Sequence, residues 1–315
     1  MTRALSIEAC RAGQPVKAAE TGEGPLAHRS SHCTLGFSRS PAGRTWLSDR
    51  FIEYPVHLTR PLYLDTAASD LATVYLQSMS GGLFQGDHHC LEVHVKTRAR
   101  THLTTQGATK VHSMRQGYAL QETVVSLDES AVVEWMPDPL ILFPDAAVRN
   151  LVRVVAVPGA VGFFTDGFLW HDPAGRPEPA FRHLETEFQV VDPEGALLVL
   201  DRQRLGTAEA SSPNSWAGAA AAVAATGAGA GFRVHGTVFA LTNDAERTTA
   251  FIEGARVALA TAEGVSGGAG RLPNDAGAWA RILAVGSVPH QRVTQALWGV
   301  FRSTVLDLSA PMRPK

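Results

Sequence analysis

Apolar and polar positions alternate in short runs along the first two thirds of the chain. His88 to Lys96 is the clearest case. His89, Leu91, Val93 and Val95 fall on one side of an extended strand, and His88, Cys90, Glu92, His94 and Lys96 on the other. Similar runs cover 33–37, 45–47, 70–79, 100–105, 120–127, 131–136, 140–143, 150–157, 162–169, 182–191 and 196–201. Turn signals divide them, as at Pro137-Asp138-Pro139, Val157-Pro158-Gly159 and Asp192-Pro193-Glu194-Gly195. Many short strands and few helices predict stacked sheets, a barrel or a solenoid, and no repeat of fixed period singles out the last.

The pattern changes after residue 231. A strand over 232–241 leads into a helix predicted over about 244–262, with Asn243 as cap and Glu246 three residues on, the spacing of a capping box. Thr248, Phe251, Ile252, Ala255 and Leu259 form its apolar face, and Gly264 stops it. A strand over 277–285 precedes a second helix over about 288–306, with Ser287 as cap and Pro289 in its first turn. Val293, Leu297, Val300, Phe301 and Thr304 form the inner face, which leaves Trp298 outside it, either facing a partner or packed in the ordinary way against the sheet. Residues 1–31 read as a flexible tail, 32–315 as one β-rich domain, and 208–231 as an Ala/Gly-rich insert.

Composition narrows the function classes. With 45% apolar and 18% charged residues, a chain of 315 residues builds a large core and is not globally disordered. A net charge of −2 argues against a nucleic-acid partner. The Ala/Gly run 217–231 is too short and too weakly apolar to cross a membrane, and the N-terminus carries no secretory signal pattern. Cys10, Cys33 and Cys90 are odd in number and show no C-x-x-C, which indicates neither a zinc site nor a disulfide framework and points to the cytoplasm.

The segment 80–111 carries the most unusual chemistry. Gly81, Gly82 and Gly86 predict a tight bend in which backbones approach closely. Asp87 follows the bend, placed to accept backbone N–H bonds. Thr104, Thr105, Gln106, Thr109 and Lys110 form a hydroxyl- and amide-rich block closed by one cation, a polar lining on a β scaffold.

These residues, with others in the same order, resemble the urease accessory protein UreD (UreH) family. The resemblance rests on Gly81-Gly82-Leu83-Phe84-Gln85-Gly86-Asp87 and Leu103-Thr104-Thr105-Gln106-Gly107-Ala108-Thr109-Lys110-Val111, then on 134–143, which begins Glu134-Trp135-Met136. It continues through Gly175-Arg176-Pro177, Asp201-Arg202, Arg204-Leu205 and Leu297-Trp298-Gly299-Val300-Phe301-Arg302. Gln85 and His112 depart from the usual family pattern, as does the run 175–181. The resemblance implies a mainly β fold, a β-helix-like stack of strands with two C-terminal helices. It implies a non-enzymatic scaffold that binds apo-urease and recruits UreF and, through it, the GTPase UreG. Nickel would be transient cargo in a polar internal passage, with no tightly bound cofactor. The GTP would belong to the partner, since no G-x-x-x-x-G-K-[ST] loop occurs here.

On this reading Asp87, Thr104, Thr105, Gln106, Thr109, Lys110 and Glu134 line or shape the passage, and Arg176 pairs with a partner carboxylate or ties down its own loop. His88, Cys90, Glu92 and His94 offer acceptable nickel ligands, but neighbours about 7 Å apart on one strand chelate poorly, which favours a solvated face. The rivals are an orphan scaffold of the same family without a urease, a hydrolase built from scattered His and Asp without any His-Glu-x-x-His, and a secreted carbohydrate-binding module.

Overall fold

Parallel pairing organises most of the strands. The computed structural model describes residues 29–175, 180–206 and 231–309. In chain order the strands are β1 (Arg29–Arg39), β2 (Thr45–Phe51), β3 (Val56–Leu58), β4 (Ala72–Ser78), β5 (Asp87–Val95), β6 (Arg100–Thr105), β7 (Lys110–Val111), β8 (Ala119–Leu127), β9 (Val132–Met136), β10 (Leu140–Leu142), β11 (Ala147–Ala156) and β12 (Val161–Trp170). There follow β13 (His183–Val191), β14 (Leu197–Gly206), β15 (Val234–Leu241), helix α1 (Ala245–Thr261), β16 (Val265–Arg271), β17 (Gly277–Ala284) and helix α2 (Ser287–Val305).

From β4 to β13 the chain passes back and forth between two sheets. The first runs β14-β13-β11-β8-β5-β1-β2 and the second β16-β17-β15-β12-β9-β6-β4-β3. Strands β5, β8, β11 and β13 pair in parallel on one side, and β4, β6, β9 and β12 on the other. The architecture is therefore a β-solenoid-like stack, the solenoid among the three arrangements open to the strand pattern. Its repeat is irregular. Ala72 pairs with Thr101 and Thr101 with Val133, unequal steps along the chain, because the turns between strands differ in length.

The inward faces of the two sheets close over Leu35, Val93, Val125, Val154, Leu103 and Phe164. Each such side chain contributes about 1.5–3 kcal/mol on burial. The helices pack on the outer face of the second sheet, over Phe163, Val238, Ala278 and Ala280. Phe251, Ile252, Ala255 and Leu259 of α1 are buried there with Thr248, the face the spacing predicted. The cap differs. Asp244, not Asn243, accepts from the N–H groups of Glu246 and Arg247, so Glu246 stands too early for a capping box. On α2, Gly286 is the cap residue and Ser287 is already helical. Trp298 and Arg302 are buried on α2, while Val300 and Thr304 are only partly so, so Trp298 is not a free partner surface. Strand β16 was not legible as a strand. Its glycines allow close packing: a Cβ on Gly267 would meet the Arg281 carbonyl oxygen at 2.3 Å and the Leu259 side chain at 2.8 Å.

One charged network ties α2 to the solenoid. Arg302 is fully buried, as is Glu134 on β9. Arg302 Nε lies 2.8 Å from Glu134 Oε1, an ion pair off hydrogen-bond alignment, and its other end donates to Asp65. His102 Nδ1 lies 2.8 Å from Glu134 Oε2, and the Arg302 guanidinium stands over the Trp298 ring. Removing the cation strands two buried carboxylates. Arg302→Met should therefore lower unfolding free energy by about 3–5 kcal/mol in denaturant titration, whereas exposed Lys96→Met should change it by less than about 1 kcal/mol. Equal effects of the two variants would remove the latch role.

Candidate functional site

The second sheet has a break in its ladder. Strands β9 and β12 pair as far as Trp135 with Phe164, and β12 next pairs with β10, from Phe168 with Leu140. Between these points lie Pro137-Asp138-Pro139. Proline has no N–H to give a ladder, so the two prolines force the interruption. The Asp138 N–H donates instead to Thr105 Oγ1 at 2.8 Å. Opposite, Thr165, Asp166 and Gly167 of β12 have no strand partner on this side.

Two cavities meet at the break. One, of about 460 Å³, lies on the helix side and is lined by Ser287, His290, Gln291, Thr294 and Gln295 of α2. The other, of about 500 Å³, lies between the sheets and is lined by His89, Gln121, Asn150, Thr109 and Lys110 among others. Thr105, Gln106, Asp138, Asp166 and Gly167 line both. A third cavity of about 370 Å³ holds Ser31, Ser80 and Asp87, and shares His89 and Pro55 with the second. The three form a series across the molecule, from the first turns of α2 to the Gly81–Asp87 bend.

The sequence-derived residues separate into groups. Thr105 and Gln106 line the two larger cavities, and Thr109 and Lys110 line the one between the sheets. Asp87 lies in the third cavity, buried, with its carboxylate accepting the Phe84 N–H at 2.8 Å. Gly81, Gly82 and Gly86 all take positive φ, and a Cβ on Gly82 would meet the Lys110 carbonyl oxygen at 2.4 Å. Thr104 and Glu134 do not reach the cavities: the Thr104 hydroxyl donates to the Met136 carbonyl at 2.7 Å, and Glu134 belongs to the Arg302 network. Arg176 lies outside the described residues, as do the tail through residue 28 and the insert residues 207–230.

The His88 stripe corrects an expectation. His88, Cys90 and Glu92 are buried, not solvated. His88 Nε2 sits 2.5 Å from Glu122, and Glu92 lies 3.2 Å from His32 and 3.6 Å from His94. Among the described residues, His32, Cys90 and Glu92 alone bring three ligand types close enough to share an ion. Cys90 is disulfide-bonded, a bridge the cysteine spacing did not indicate, so its sulfur offers no thiolate. The letters Gly264-Val265-Ser266-Gly267-Gly268 fit a Gly-x-Ser-x-Gly spacing, but they run from a turn into β16. A nucleophile elbow needs the reverse, a strand turning into a helix.

Sequence reading missed Asp166, His290 and Thr294, which became neighbours only when β12 and α2 met the Pro137–Pro139 loop. Asp166 is enclosed, and the solvent it retains is that of the cavities. Burial raises its carboxyl to about 6, opposed by the Gly167 N–H, by Asn150 Nδ2 donating at 3.1 Å and by Thr186, with Asp201 adding to the rise. Burial lowers His89 below the ordinary histidine range, against the pull of Asp87, and lowers His290 to about 4.

A carboxyl whose folded pKa is raised stabilises the fold fully below about pH 4, and that contribution is lost as pH rises through about 6. Asp166→Asn should thus raise the melting temperature at pH 8, by on the order of 1–2 kcal/mol of stability after allowing for cavity water. The gain should vanish near pH 4. Melting curves against pH check it, and a gain independent of pH would count against an enclosed carboxylate.

The chain matches a family model described as UreD urease accessory protein over residues 29–314. It is 35% identical to urease accessory protein UreD 1 of Methylorubrum extorquens strain PA1, over 89% of each chain. It is 34% identical to urease accessory protein UreD 3 of Bradyrhizobium sp. strain ORS 278, over 87% of this chain and 91% of the relative. The third relative, urease accessory protein UreD 1 of Pseudomonas syringae pv. syringae strain B728a, is 31% identical over 91% of this chain and 95% of the relative. By family match and by extent of identity, this chain belongs to the UreD urease accessory protein family.

Proposed function

We propose that this protein is a non-enzymatic scaffold of urease maturation. It binds apo-urease, recruits a UreF-like partner and through it a UreG-like GTPase, and conducts nickel through its own interior. The observation that carries this reading is the meeting of two cavities, with Thr105, Gln106, Asp138 and Asp166 lining both, at the proline-enforced break in the second sheet. An ion in transit must be held weakly enough to leave. Hydroxyl and amide groups such as Thr105, Gln106 and Asn150 do this, with Asp138 and Asp166 as carboxylates lining both cavities. Lys110 offers no lone pair while protonated and limits the charge that would trap a dication.

The test has two parts. Deleting the gene should lower nickel per urease active site to near zero, with urease still expressed. Gly107 lines both cavities, and a Cβ there meets nothing within 4 Å, so a side chain can leave the backbone there without a clash at its first atom. Gly107→Trp should plug the junction and lower urease nickel severalfold while the accessory complex still copurifies with urease. Normal nickel in the deletion strain would remove the maturation role. Normal nickel with Gly107→Trp alone would remove the internal route.

A further inference from the structure

Strand β5 turns one group of side chains away from the space between the sheets. Leu91, Val93 and Val95 pack into the core, so Cys90, Glu92 and His94 stand on the outer side of the first sheet. Cys90 and Glu92 are two residues apart on one strand, about 7 Å between Cα positions, too far to share an ion unaided. The neighbouring strand closes that gap. β1 runs parallel to β5 with His32 opposite Cys90 and Thr34 opposite Glu92. His32 Nε2 lies 3.2 Å from Glu92 Oε1, and the ligand atoms of His32, Cys90 and Glu92 all fall within 4.8 Å of one another. Ligand atoms around a tetrahedral zinc ion are about 3.4 Å apart, so small rotations bring the three into range.

The three donors complement one another. A thiolate and a carboxylate together cancel the charge of a dication, which lowers the cost of holding it where Cys90 and Glu92 are buried. The His32 imidazole is partly exposed and leaves a path for the ion and for water as a fourth ligand. His94 Nε2 lies 3.6 Å from Glu92 Oε2 and steadies the oxygen turned away from His32. His32 and Glu92 line none of the three cavities, and Cys90 alone borders the one between the sheets. The group therefore stands apart from the proposed metal route and does not rest on it.

Oxidation state decides whether the donor set is complete. In its disulfide, Cys90 has no thiolate to give. A dithiol reductant passes two electrons and two protons to the bridge, which leaves two protein thiols and the reductant as its own disulfide. The Cys90 thiol then loses its proton to solvent as a dication binds the sulfur. We propose that His32, Cys90 and Glu92 form a redox-gated site for one zinc ion, closed in the disulfide state and open in the thiol state. The thiolate selects zinc over magnesium.

The experiment titrates ZnCl₂ into the purified untagged full-length chain against a chromogenic chelator, once after dithiol treatment and gel filtration under argon and once without reductant. The reduced chain should bind one equivalent more than the oxidised chain, and that zinc should raise the melting temperature of the reduced chain alone. Co²⁺ in place of zinc should give a thiolate-to-cobalt absorption band in the near ultraviolet, again in the reduced chain alone. His32→Gln keeps the bridge and should weaken the reduced-state equivalent by about tenfold or more. Cys90→Ser should abolish the cobalt band under both conditions and serves if His32→Gln fails to fold. Equal zinc binding in the two states, or a cobalt band that survives Cys90→Ser, would overturn the site. Gly107→Trp, which plugs the route, should keep the equivalent. Its loss in that variant would put the ion in the cavities and overturn a separate site.

Discussion

The guanidinium of Arg302 joins three separate parts of the chain in one dry site. It brings together Asp65 from the loop before β4, Glu134 from the middle of the second sheet, and helix α2 itself. A buried cation is tolerated only when its partners are close and well placed, so the network allows few positions for α2. That matters because the first turns of α2 wall the helix-side cavity. Glu134, a passage candidate by its place in the motif, acts instead as the counter-charge that sets where one wall stands.

The second constraint is the break at Pro137-Asp138-Pro139. A continuous parallel ladder would seal the second sheet between its core face and its helix face. Two prolines remove the donors, Asp138 turns its N–H to Thr105, and Gly167 contributes no side chain to fill the gap. Polar groups then gather where the sheet is open, and apolar packing resumes on either side of it through Trp135 and Leu140. The cavities therefore follow from a local failure of strand pairing inside an otherwise regular stack.

Strand positions were largely legible because most strands bury at least one face, and alternation records that. Helix faces were legible for the same reason: Phe251, Ile252, Ala255 and Leu259 repeat at helical spacing and meet the sheet. The misses have physical causes. β16 carries glycines where α1 needs close approach, so its composition reads as turn. His88, Cys90 and Glu92 look like a wet strand face, but cross-strand partners such as Glu122 and His32 bury and pair them. Trp298 falls outside the simple apolar stripe because Arg302 beneath it is held by a charge network and not by hydrophobic packing.

By itself the sequence determined the β-rich body, the two C-terminal helices, the Gly81–Asp87 bend and, through the ordered motifs, the UreD family. Those features depend on local periodicity, backbone freedom and residue identity, which are written along the chain. Tertiary structure alone decided that the strands coil as a two-sheet solenoid, that Asp166, His290 and Thr294 share a cavity system with Thr105, and that Glu134 belongs to Arg302. These facts arise from pairing between strands far apart in sequence and from where one helix docks. No local pattern encodes which distant backbone will stand opposite.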